Sequence, residues 1–570
     1  MSLTKATNRM LEGAPVSVKD FGAVGDGVTD DTVAIQAAVD TGREVSIPSG
    51  TYVVSDTITS VALFIHGAAE KNSSKIVFTP TTEIPLFETT GYSYNGKTTH
   101  ILNLTINGTY GGSADLINQP TCFKFVNETQ ENLGASVQNC NITGFKKAIL
   151  VSGRGLYLDN NFFSRCLDAV YFKRVLPVNE GPDDDQNTES GMRAYWIRNC
   201  RFHSMGSSSI ITNIEDSADN LRGILFEGNY IDSAARIMNG ACRESLFTGN
   251  THIYGNSGDV QTDNVQVLFF SSFGRWENVT ITNNNFSSLQ ATASTVARGS
   301  EYIVKLGASQ DVAVNGLIFS NNTIQGVYNE AIKINTTTGN NIVISGNSFN
   351  DACMNAKNGS TRLISLNTSS SIRGVNISNN ILKVFNESDA TVQSNLDYAI
   401  YLSGDIERVK ILNNIVNTSI IKEANKFCST QTVGTYTTTL VSSQGDTFTL
   451  DSTKDTLYYH KTGNSVTVSG SVSLSAIPAS PTGRLQLSLP FTSTILSSGE
   501  NSDIAHANIS INDATINVAE WVGWIDDGSD VIDIYRGDVA AVSSSNDNTG
   551  IIKNTSVIHL SVTYIVPDGI

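Results

Sequence analysis

At 570 residues the chain is too long for one compact core, and two or three domains are expected. Its 40% hydrophobic and 16% charged content fits stacked β-structure, while a formal net charge of −17 argues against a nucleic-acid partner or an anionic membrane surface. No run approaches the roughly 18 apolar residues of a membrane span, and residues 1–15 lack the apolar core of a signal peptide.

In chain order, residues 1–15 are polar and aperiodic, as a disordered lead or a docking peptide would be. Val16 to Asp31 follows with closely spaced glycines for tight turns, and Thr29 to Asp31 can cap the segment Thr32 to Asp40. There Ala34, Ile35, Ala38 and Val39 make one apolar helical face. An amphipathic helix of this kind can close the open end of a solenoid. Val45 to Val54 reads as the start of the first coils.

From about Val137 to Val416 one phrase recurs: apolar, any, Asn or Gly, usually Asn, any, apolar. Val137-Gln-Asn-Cys-Asn-Ile142, Ile197-Arg-Asn-Cys-Arg-Phe202, Ile281-Thr-Asn-Asn-Asn-Phe286 and Ile344-Ser-Gly-Asn-Ser-Phe349 are copies. Phe247-Thr-Gly-Asn-Thr-His252 fits except that its last apolar residue, Ile253, falls one place late. One such unit cannot bury its own apolar face, so the repeat implies stacked coils. Strands flank a tight corner for which Asn and Gly are suited, and stacking puts Asn284, Asn322, Asn347, Asn380 and Asn414 into a hydrogen-bonded ladder. The expected fold is all-β, a parallel β-helix. Cys140 and Cys200 occupy ladder places, and the 7 cysteines lack CxxC spacing, so they read as packed thiols.

A second phrase marks another sheet of the coil: Ala148-Ile-Leu-Val151, Ala169-Val-Tyr-Phe172, Ala331-Ile-Lys-Ile334 and Ala399-Ile-Tyr-Leu402. Alternation places Ile332 and Ile334 inside and points Tyr171, Lys305, Lys333 and Tyr401 outward. After Ile421 the Asn corners stop. Ser465 to Leu474 and Arg484 to Leu489 alternate instead, as in an antiparallel β-sandwich.

The run Asp20-Phe-Gly-Ala-Val-Gly-Asp-Gly-Val-Thr-Asp-Asp31, followed by Ser46-Ile-Pro-Ser-Gly-Thr-Tyr-Val-Val54, resembles the opening of the pectate-lyase-like and rhamnogalacturonase-like β-helix superfamily. Lys5 to Ala23 more narrowly resembles the start of bacteriophage tailspike depolymerases. Tyr458 to Gly470 is similar to carboxy-terminal domains of phage tail proteins, which trimerise and sometimes bind glycans. The resemblance implies a virion-attachment peptide at 1–15, docking on a phage tail or adaptor protein, and an amino-terminal cap at 16–60. It further implies a right-handed single-stranded catalytic β-helix at 61–425 and a trimerising carboxy-terminal domain at 426–570. The implied partner is a bacterial surface polysaccharide, met outside the host cell by a homotrimer. No cofactor and no membrane insertion are implied.

No phosphate loop or GxSxG elbow is present, and Asp183-Asp-Asp185 lacks the regular offsets of a Ca²⁺ loop, so no metal site is expected. In the resembled superfamily substrate lies along the sheet bearing the Ala-Ile-x-Ile phrase. Here that sheet offers Tyr171, Lys173, Arg236, Lys305 and Lys333, a basic stripe suited to an acidic polysaccharide. The loops after it are acidic, and Glu215, Asp216 and Glu244 follow consecutive copies of the sheet, with Arg236 expected nearby. They are the first candidates for the acid and its partner in a glycoside hydrolase. A rival face beside the Asn corners carries Trp196 and Tyr230 as sugar-stacking surfaces, with Glu227, Asp232 and His203 as alternative catalytic groups. A lyase would instead take its base from Tyr171, His203 or Tyr230. A glycan-binding adhesin without catalysis is the remaining reading of the same scaffold.

Overall fold

The computed structural model describes residues 14–69, 72–89, 98–109, 120–126, 132–152, 154–173, 193–213, 221–254, 267–288, 302–307, 312–327, 330–352, 361–384, 396–416, 421–422, 428–462, 464–494, 503–515, 520–536 and 549–566. The chain divides into one unit of residues 1–406 and 414–424 and another of 407–413 and 425–570.

The first unit opens with the helix Thr32–Val39, which buries Ile35, Ala38 and Val39. Asp31 is the residue before its first turn, yet its side chain does not cap the helix. Its carboxylate turns back into the glycine-rich loop and accepts from the Val24 and Gly25 backbone N–H groups at 2.6 and 3.1 Å. Asp30 Oδ1 takes the helix donor instead, 2.9 Å from Thr32 N.

The rest of the unit is a parallel β-helix. Each coil contributes a strand before the Asn corner (sheet A), one after it (sheet B) and one bearing the Ala-Ile-x-Ile phrase (sheet C). Sheet A runs through Arg154–Asp159, Arg193–Arg198, Arg222–Glu227 and Leu246–Thr248, all parallel and in register. Sheet B stacks Asn141–Thr143, Phe162–Ser164 and the start of Arg201–Asn213 in the same way. Inward residues form columns along the axis, such as Ile142, Phe163, Phe202 and Ile231, with the Phe163 and Phe202 rings 5.2 Å apart and near parallel. Burial of such aromatics, at about 25 cal/mol per Å² of apolar surface, is the main force holding the coils together.

The corner has two distinct positions. Its first residue is left-handed: Asn139, Asn160, Asn199, Gly228, Gly249, Asn283, Asn321, Gly346 and Asn379 all have φ between 53° and 67°. Its second residue is the ladder. Each Asn Oδ1 accepts from the backbone N–H and Nδ2 of the Asn one coil earlier, and each Nδ2 also donates to a main-chain carbonyl. Asn322, Asn347 and Asn380 are linked in this way at 2.9–3.1 Å. The five expected members stack as read, and Asn229 and Asn250 extend the ladder. Cys140 and Cys200 fill ladder places nearer the amino terminus, each backbone N–H donating to the next Asn at 2.9 Å. Cys122, Cys140, Cys166, Cys200 and Cys242 are free and buried, and burial pushes the Cys166, Cys200 and Cys242 thiols up to about 12.

One reading of register changes. His252, not Ile253, occupies the inward place of its coil, between Ile231 and Phe286. It is 1% exposed, and Ile253 points outward beside Asp232.

The second unit is antiparallel. Thr456–Thr462, Ser465–Ala476, Val557–Ile565, Asp503–Asn512, Trp521–Asp526, Val531–Arg536 and Leu485–Ser488 pair in that order. Alternate residues, among them Val466, Val468, Leu485, Leu487, Ile532, Ile534 and Ile558, form one buried core.

Candidate functional site

The connections distinguish the sheets. The corner from A to B is two residues long at nearly every coil, as at 139–140, 160–161 and 346–347. The long connections abut sheet C instead: 173–192 and 214–221 leave it, and 255–266, 289–301, 353–360 and 385–395 enter it. Constant corners serve stacking, and variable connections concentrate where function is free to vary.

The outward column of sheet C reads Lys124, Leu150, Tyr171, Thr212, Asn239, Phe270, Lys305 and Lys333. Cations lie over aromatic rings along it: Lys147 Nζ is 4.0 Å from the Tyr171 centroid, Arg236 Cζ 4.9 Å from Phe270, and Lys305 Nζ 4.5 Å from Tyr302. Lys333 is outward as expected and pairs with Glu330 at 2.7 Å. Ile332 and Ile334 beside it are buried. Tyr171 is more covered than alternation alone predicts, at 8% exposure, because Lys147 folds over it. Lys173 is half-buried and directly follows the same strand.

One carboxylate on this face, Asp168, is not singled out by the pattern. It starts the strand Asp168–Phe172 and stands in register with Ser209, which stands in register with Arg236. Thr212 Oγ1 donates to its Oδ1 at 2.5 Å. Burial pushes its pKa up to about 6, against the Thr212 hydrogen bond and the positive charges of Lys147, Lys146 and Arg236. Burial also works against the Arg236 charge, which Asp168 partly restores. Arg236 Nε is buried without a hydrogen-bond partner among the described residues. A carboxyl with a raised pKa on the same face as an unsatisfied guanidinium donor is a site with capacity for an acceptor-rich ligand.

Glu215 and Asp216 lie outside the described residues, immediately after the strand that ends at Asn213. Glu244 is exposed and makes no ion pair among the described residues; it is the left-handed residue (φ 49°) of a second corner, aligned with Ala194, Gly223 and Asn278. Arg236 lies within the strand Tyr230–Gly240, and about 26 Å of extended chain separates it from Glu244. The Arg236 charge acts on Asp168 through space, and the two form no ion pair among the described residues.

The rival face stacks as alternation predicts. Tyr157, Trp196 and Leu225 form one column, and Asp159, Arg198 and Glu227 the next. Asp159 is tied up: Tyr157 Oη donates to it at 3.2 Å, Asn199 Nδ2 at 2.9 Å, and Arg198 Nε lies 3.8 Å away. It serves as a structural ladder member. Glu227 is exposed without a side-chain partner among the described residues, Trp196 is 47% and Tyr230 39% exposed, and a cleft of about 200 Å³ lies against His100, Ser136, Tyr157 and Trp196. His203 and Asp232 form a hydrogen-bonded pair beyond the corner. Among the described residues no group of three or more His, Cys, Asp or Glu is placed to hold a metal ion.

Comparison with known proteins gives a family for the amino-terminal part. Residues 15–231 match the model of rhamnogalacturonase A/epimerase, pectate lyase-like. The plasmin and fibronectin-binding protein A of Streptococcus pneumoniae is 30% identical over 178 residues, 27% of this chain and 24% of that protein. The pre-neck appendage protein of Bacillus phage phi29 is 43% identical over 63 residues, 11% of this chain and 7% of that one. The chain thus spans a quarter or less of the length of these relatives. Among solved structures, the Dettilon tailspike protein aligns with 96% of this chain and 94% of its own at 15% identity and a TM-score of 0.45. Residues 15–231 are thus similar to the rhamnogalacturonase A/epimerase, pectate lyase-like family.

Proposed function

We propose that this chain is a phage tailspike depolymerase that cleaves an acidic polysaccharide of the bacterial surface during adsorption. The observation that carries the reading is Asp168 on sheet C, a carboxyl raised to about 6 that feels the charge of Arg236, whose guanidinium has an unsatisfied donor. The aromatic rings and cations above and below it suit a chain of sugar rings bearing carboxylates. In glycoside hydrolysis Asp168 would protonate the leaving oxygen, with Glu215 or Asp216 as its partner carboxylate. In elimination Tyr171 would take the proton beside a uronate, with Arg236 stabilising the enolate. Short matches to a mannuronan C5-epimerase and to alginate lyase 7 of Azotobacter vinelandii support chemistry on acidic polysaccharides.

Purified capsules and O-antigens, with mass analysis of the products, test the activity. Asp168→Asn should keep glycan binding and lose about 10²-fold or more in turnover, the scale of general acid–base help. Full activity in that variant removes Asp168 from the mechanism, and an unsaturated uronate absorbance in the products assigns elimination. Tight binding of a capsule with no loss of its viscosity would establish the non-catalytic adhesin instead, the reading that the exposed Trp196 and Tyr230 favour.

Assembly belongs to the same proposal. The carboxy-terminal unit holds three chains together, so light scattering of the full chain should give a trimer that removal of residues 430–570 weakens or abolishes. A monomer at full length refutes this.

A further inference from the structure

Ser164, His203 and Asp232 occupy one outward column of sheet B on three consecutive coils. Ser164 is in register with His203, and His203 with Asp232. His203 Nδ1 lies 2.8 Å from Asp232 Oδ2. Coils rise by about 4.8 Å, so the imidazole stands between hydroxyl and carboxylate. With Nδ1 turned to Asp232, Nε2 is the ring nitrogen left to act as base. Phe162 holds the ring plane, 6.2 Å away and inclined by 22°. The Ser164 hydroxyl has no hydrogen-bond partner among the described residues, and Arg165 beside it is exposed in the left-handed region at φ 49°. A non-glycine residue held there stores strain of the kind that marks working sites. The coils on either side of the three place Thr143 and Ile253 in this column, so no repeated charge ladder accounts for the His–Asp contact.

We propose that Ser164, His203 and Asp232 form a hydrolase triad for short acyl esters, of which an O-acetyl group on a sugar hydroxyl is the best fit. Ser164 is only 6% exposed, so a small acyl group suits it better than a long one. Tyr230 and Phe162, with the Arg201 guanidinium 5.4 and 5.7 Å from their rings, offer the adjoining surface to a sugar. Asp232 fixes Nδ1 as the protonated nitrogen and leaves Nε2 as base. Ser164 Oγ adds to the ester carbonyl as its proton passes to Nε2, and the exposed Arg165 charge lies beside the developing oxyanion. Collapse breaks the acyl C–O bond to the sugar, and the alkoxide leaves with the proton from Nε2. Water, deprotonated by Nε2, then releases the acid and restores Ser164. No residue of sheet C takes part, so this proposal stands or falls apart from the depolymerase.

Full-length protein treated with a fluorophosphonate probe should acquire one covalent adduct, mapped by mass to Ser164, and should hydrolyse para-nitrophenyl acetate. Ser164→Ala should abolish both. His203→Gln, which keeps a donor toward Asp232, should slow both by about 10²-fold or more. The unfolding midpoints of both variants should match the parent. A folded parent that takes no label at Ser164, or variants whose labelling and turnover are unchanged, would overturn the assignment.

Discussion

Asn347→Leu should lower the stability of the β-helix by about 3–6 kcal/mol, summed over three groups at about 1–3 kcal/mol each with partial relaxation. The side chain sits at 1% exposure in the middle of the ladder. Its Oδ1 accepts from Asn322 N and Nδ2 at 2.9 and 3.1 Å, and its Nδ2 donates to Phe319 O at 2.9 Å. Leucine is close in size but supplies none of these contacts. The Asn322 N–H, one Asn322 amide proton and the Phe319 carbonyl are then stranded where water does not reach. The Asn380 amide keeps one donor, because the backbone N–H at 347 still points at it. Denaturant titration followed by circular dichroism reads the loss. Asn321→Gly is the control, one coil earlier and one place before the ladder. Its φ of 53° suits glycine, so it should stay within about 1 kcal/mol of the parent. Equal midpoints for Asn347→Leu and the parent would mean that the ladder only decorates a coil held by its apolar columns.

What the sequence makes legible, and what it hides, follows from how each feature is encoded. The ladder is legible because two adjacent residues, one left-handed and one buried, recur in every coil with the same chemistry. His252 is misread because periodicity looks for apolar residues. The coil tolerates one imidazole in the place of a phenylalanine, since its Nε2 finds Ala234 O at 3.3 Å. Glu244 reads as a loop carboxylate because its neighbours do not reveal a corner. Only alignment with Gly223 and Asn278 does, and that alignment is a product of stacking. Asp168 is hidden for a related reason. Nothing local distinguishes it from other residues that start a strand, and the groups that act on it, Thr212 and Arg236, are distant in sequence and come near only once coils are stacked. Ser164, His203 and Asp232 are visible as a column from the sequence, but the hydrogen bond that gives the column a direction is not.

Asp168 and His252 should tilt the pH dependence of stability in opposite directions across the same window. Burial lowers the His252 pKa from an ordinary 6.5 to about 4. Between those values the unfolded chain binds the proton and the folded one does not, so His252 makes stability fall as pH drops through the window, by about 3 kcal/mol at about 1.4 kcal/mol per unit. Asp168 rises from 3.8 to about 6. There the folded chain holds the proton and the unfolded one has lost it, so stability falls as pH increases across that range, by about 3 kcal/mol on the same conversion. The two contributions oppose each other, and between pH 4 and 6 the parent should show a weak net slope from this pair. His252→Phe places an aromatic between Ile231 and Phe286, as Phe163 and Phe202 stand elsewhere in the column. It should leave the Asp168 slope alone, with stability greater at pH 4 than at pH 6. Asp168→Asn keeps an acceptor for Thr212 and should show the reverse. Unfolding curves for both variants at those two pH values check the signs. Parallel profiles in the two variants would mean that neither group titrates across its expected interval.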